Sequence, residues 1–188
     1  MKKFLLISII LSMLLCFTAC AKDEDVSLSQ IETTQEETTD SLSGDNSQGS
    51  DFNLPEGVTF AQYIFEDFKG LMSENSDMTT EQLADELIKN EAILFDGVTN
   101  SAEPGFLQGF DTEITGFKSG SMFGPFISSI PFIGYVFELE NESEAEAFVE
   151  TLKSNANPAW QVCVEAEETV CESIGNKVFF VMAPLSNS

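Results

Sequence analysis

The chain has 188 residues, with 32 Asp and Glu against 8 Lys and Arg, no histidine, 17 phenylalanines and a formal net charge of −24. That length and apolar content suffice for one domain with a true core, while the acidity repels phosphate backbones and excludes nucleic acid as a partner. All the basic residues are lysine, so histidine-dependent triads, the commoner zinc sites and bidentate arginine clamps are ruled out together.

At the N-terminus, Lys2 and Lys3 precede an uncharged, apolar run over residues 4–17, and Thr18-Ala19-Cys20 then sets a small residue before a cysteine. A short basic region followed by an apolar core of about 7–15 residues reads as a secretory signal peptide. The ending Phe17-Thr18-Ala19-Cys20 resembles the lipobox of bacterial lipoproteins, usually written Leu-[Ala/Ser]-[Gly/Ala]-Cys, with Phe17 in the place of leucine. The resemblance is confined to residues 1–20. It implies cleavage after Ala19, a diacylglyceryl thioether on the Cys20 sulfur, and a chain held at the outer side of a membrane, where two or three acyl chains anchor stably and one does not. Read without the resemblance, the residues also admit an uncleaved signal anchor, because the run extended to Ala21 reaches the lower edge of a membrane span, or plain secretion. Loss of residues 1–19 removes Lys2 and Lys3 and no acid, which takes the charge from −24 to −26.

Residues 20–56 read as the lipidated cysteine and an acidic linker with only scattered apolar positions. Such a stretch buries too little to offset its ordering entropy, so a flexible stalk is expected. The globular part is then residues 57–188. Over 57–74, Phe60, Ala61, Ile64, Phe65, Phe68, Leu71 and Met72 fall at helical spacing. Thr79 with Gln82 forms a capping box for a second helix presenting Leu83, Ala84, Leu87 and Ile88. Residues 92–95 look strand-like, and Asp96-Gly97 and Pro104-Gly105 mark turns.

Residues 105–137 hold six glycines and seven phenylalanines, which argues for short strands and tight turns. A strand is clearest over 132–139. A helix follows from Asn141, with Ala145, Phe148, Val149 and Leu152 on one face, ending at Asn157-Pro158. Strands are expected over 160–164, 169–174 and 177–183, the last two joined by a Gly175-Asn176 hairpin turn. The order predicts one α+β domain: an antiparallel sheet of about five strands packed against two or three helices, which cover one side.

Few residues carry candidate chemistry. Cys163 and Cys171 face each other if the chain folds back near Glu167, which predicts a disulfide permitted outside the cytoplasm; if 165–172 is helical, both are small core residues. Phe106, Phe110, Phe117, Phe123 and Phe126 form either an exposed interaction patch, being set among turns, or core. Asp96, Asn100 and Glu103 lack the spacing of a calcium loop, so no metal and no cofactor is expected. The reading is a lipid-anchored extracytoplasmic lipoprotein, non-enzymatic, acting as a binding or accessory module at the cell surface. Its membrane contact is the N-terminal lipid, and its protein or cell-envelope partner is unidentified. The alternatives are a hydrolase using a carboxylate pair and a purely structural envelope protein.

Overall fold

The structure, a computed structural model, describes residues 52–127 and 129–187; the signal segment, Cys20 and the linker up to residue 51 lie outside the described residues. Two threonines start the first two helices. The Thr59 side chain accepts from the Gln62 backbone N–H ahead of α1 (Phe60–Glu74), while Thr79 and Gln82 close the expected capping box on α2 (Thr80–Leu87), at 3.2 Å and 3.0 Å. Each satisfies a backbone donor that a helix end leaves free. The strands follow as β1 (Gly97–Ser101), β2 (Gly105–Phe106), β3 (Glu113–Ile114), β4 (Ser119–Pro125) and β5 (Ile133–Glu138). Then come α3 (Ala145–Asn155), β6 (Glu168–Ile174) and β7 (Lys177–Ala183).

The fold is α+β. Five strands form one antiparallel sheet in the order β1-β4-β5-β7-β6, and β2 and β3 form a separate two-stranded ribbon. Helices lie on both faces of the sheet, not on one as the sequence suggested. Val136, Phe179 and Val181 pack against Phe60, Ile64 and Phe68 of α1 and Leu83 and Leu87 of α2. Their neighbours along the strands, Tyr135, Phe137, Phe180 and Met182, pack on the other face against Phe148 and Leu152 of α3. This two-sided burial follows from the uninterrupted apolar run of β7, every residue of which is buried; a strand with one wet face would alternate. Gly175, at φ +59, turns β6 into β7.

Three expected boundaries are corrected. Residues 92–95 are a turn, because the Asn90 side chain captures the Ala92 N–H at 2.8 Å and the Asn90 carbonyl accepts from Ile93, which delays the strand to Gly97. Residues 160–164 form a loop that pairs with no strand, and β6 stays the edge of the sheet, pairing only with β7. Phe52 and Leu54, read as linker, pack on the domain, with the Phe52 ring 5.1 Å from that of Tyr63.

Candidate functional site

On the face carried by α1 and α2, side chains change character along the strands. β4 offers Phe123, Ser121 and Ser119 in turn, β5 offers Val136 and then Glu138, and β7 read backwards offers Val181, Phe179 and Lys177. Apolar residues therefore occupy one end of this face and polar residues the other, with about 17 Å between the ends of the six-residue β5. α2 begins above this boundary, where the buried Ser121 hydroxyl donates to the Thr80 hydroxyl at 3.1 Å. Past that point the strands continue with no helix over them, and a cavity of about 640 Å³ opens.

This polar cleft is walled by Thr99, Asn100 and Ser101 of β1, the first residues of α2, and the start of β4. Thr99 is committed to the fold through its hydroxyl, which donates to Asp85 on α2 at 2.6 Å. Glu138 is held between two lysines, accepting from Lys118 Nζ at 2.8 Å and from Lys177 Nζ at 2.7 Å. Those hydrogen bonds, Lys118's first, hold its carboxyl below the usual range, against the opposing effect of burial. Lys177 is only 5 % exposed, so this pair is a buried charge with one solvated neighbour. The side chains of Ser101 and Ser119 have no hydrogen-bond partner among the described residues, whereas Asn100 borders the cleft through its backbone, its side chain lying beside Met122 on the α3 face. Glu81 and Glu103 stand exposed at the rim. The cleft thus offers free donors and acceptors around a carboxylate that is already ionised.

The opposite end of the face is apolar. Phe60, Leu94, Phe95, Ile130 and Pro184 line a smaller hollow of about 290 Å³, near which Phe126 and Ile127 project, each 72 % exposed. The chain joins the domain here, since Asn187, which also lines the hollow, donates to the carbonyls of Phe52 and Ala92.

The residues singled out from the sequence do not assemble. Phe106 at 77 % and Phe126 are exposed, but Phe110, Phe117 and Phe123 are buried, so the five-residue patch is not formed. Phe110 lies 4.7 Å from the Phe180 ring and Phe117 4.9 Å from Phe137 on the α3 face, while Phe123 stands between Phe132 and Phe179 on the other. The turns place the backbone at the surface while these side chains reach back to the sheet. Cys163 and Cys171 are both free, which corrects the expected disulfide. The hairpin bends at Gly175, not near Glu167, so Cys171 pairs in register with Phe180 and its side chain faces α3, while Cys163 sits in an exposed loop. Burial pushes the Cys171 thiol up to about 12. With Cys16 and Cys20 replaced by serine, so that Cys163 and Cys171 are the remaining thiols, one thiol is expected to react with Ellman's reagent under native conditions and a second only after denaturation. Two fast thiols, or none before reduction, would contradict this arrangement.

Asp96 precedes β1 and Glu103 follows it, so the acidic residues considered for calcium are at opposite ends of a strand. Among the described residues no group of three or more Asp, Glu and Cys is placed to hold a metal ion, and no helix is long and apolar enough to cross a membrane. Sequence reasoning missed the cleft entirely. Its only local signals are lone charges at the ends of apolar strands, Glu138 closing β5 and Lys177 opening β7. No protein-family model, curated protein or solved structure matches the chain.

Proposed function

We propose that the chain is a lipid-anchored extracytoplasmic lipoprotein, held by acyl chains on Cys20, whose α+β domain is a non-enzymatic binding module. The anchor half of this reading rests on the order of basic residues, apolar run and Ala19-Cys20 at the N-terminus. The observation that carries the binding half is the polar cleft, with Ser101 and Ser119 unpartnered, set at the end of the sheet away from the point where Phe52 joins the domain. Glu138, kept ionised by two lysines, suits a fixed acceptor and not a proton donor, which favours binding over hydrolysis.

The anchor is tested by fractionation of cells making wild type and Cys20→Ala, with mass spectrometry of the N-terminal peptide. The expected result is lipid mass on Cys20 and membrane retention in wild type, with both lost in the variant. Equal retention of the two proteins and an unmodified Cys20 would remove the proposal.

A further inference from the structure

We infer that the polar cleft takes a neutral, hydroxyl-rich ligand of the saccharide class; this rests on the reading of the domain as a binding module and names what it binds. The argument is one of matching groups. Ser101 and Ser119 lie on the same face of neighbouring strands, and each brings a hydroxyl that can donate and accept. Glu81 and Glu103 accept only, while Lys118, 52 % exposed and with one contact to Glu138, has donors to spare. A ligand that satisfies such a wall must itself both donate and accept at closely spaced positions, which is the property of a ring bearing several hydroxyls.

Charge narrows the choice. An anion entering the cleft meets Glu81 and Glu103, and the lysines it would seek are already shared with Glu138. The chain has no arginine to grip a carboxylate or phosphate in two-point fashion. A cation meets Lys118 at the wall and a Glu138 carboxylate already paired twice. A neutral ligand meets neither penalty. The volume of about 640 Å³ is in the ordinary range for small-ligand sites.

The test uses the full mature chain in a detergent without a sugar headgroup. Binding is measured by calorimetry and by amide NMR shifts with three neutral disaccharides (diacetylchitobiose, cellobiose and maltose), with inorganic phosphate and with spermidine. The expected result is saturable binding of at least one disaccharide, shifts centred on residues 99–103 and 118–121, and at least a tenfold loss of affinity in both Ser119→Leu and Ser101→Leu. Thermal melts of the two variants, expected to match wild type, separate blocked binding from lost folding. Saturable binding of phosphate or spermidine at these residues, with no disaccharide bound, overturns the ligand class and leaves the binding module standing. Absence of binding by every probe overturns both. Disaccharide binding that survives both leucine variants places the site elsewhere and overturns the cleft.

Discussion

Replacing Gly134 with alanine is expected to destabilise the domain by about 3 kcal/mol, the upper part of the range for overpacking a core. Gly134 pairs across the sheet with Phe123, and a Cβ built on it runs into the Phe123 ring. The ring has no room to yield. It is fully buried, with the Phe132 ring 5.8 Å away and that of Phe179 6.5 Å away. Glycine in a strand interior is otherwise a poor choice, and here the phenylalanine covers the place where a side chain is missing. The double variant Gly134→Ala with Phe123→Leu should recover part of the loss, because the smaller, flexible side chain vacates the ring's position. Urea denaturation of the two single variants and the double variant measures the coupling. Strict additivity would show that the two residues do not compete for the same space.

Removing Glu138 is the second large effect. Glu138→Ala leaves the Lys177 ammonium 5 % exposed and without its partner, at an expected cost of about 3 kcal/mol, the low end for breaking a buried pair because the carboxylate borders the open cleft. Lys177→Met, which removes the buried charge itself, is expected to be close to neutral, since Lys118 remains to balance Glu138. Equal losses in the two variants would contradict the assignment of Lys177 as the buried member. The pH dependence has a definite sign. The folded-state pKa of Glu138 is depressed, so its contribution is complete above the ordinary carboxylate range and is lost as pH falls through the depressed value. The stability difference between wild type and Glu138→Gln should therefore hold steady near neutral pH and shrink below about pH 4.

The contrast between these two sites explains what could be read in advance. The helix starts at Thr79, the α3 face of Ala145, Phe148 and Leu152, and the Gly175-Asn176 turn depend on neighbours within a few residues. Their signals are local, and the structure has them where the spacing put them. Glu138 and Lys177 lie 39 residues apart, and nothing near either announces the other. Cys163 and Cys171 were misread for the same reason. Eight residues apart in sequence, they were set opposite one another by a hairpin placed in the wrong loop, while the true partner of Cys171 across the sheet is Phe180.

By itself the sequence determined the α+β class, the Thr79 cap and the final hairpin, because periodicity, capping and turn chemistry act over short range; the signal segment and its Ala19-Cys20 ending are proposed from the same kind of local signal. Only the tertiary structure decided which phenylalanines are buried, that helices cover both faces of the sheet, and where a polar cleft opens. Those depend on strand order and register: β5, lying between β4 and β7, brings Ser119, Glu138 and Lys177 to one end of one face, and α2 begins at Thr80, over Ser121, leaving that end uncovered. A site made by the place where a helix begins above a sheet is written in the packing of distant segments and not in any one of them.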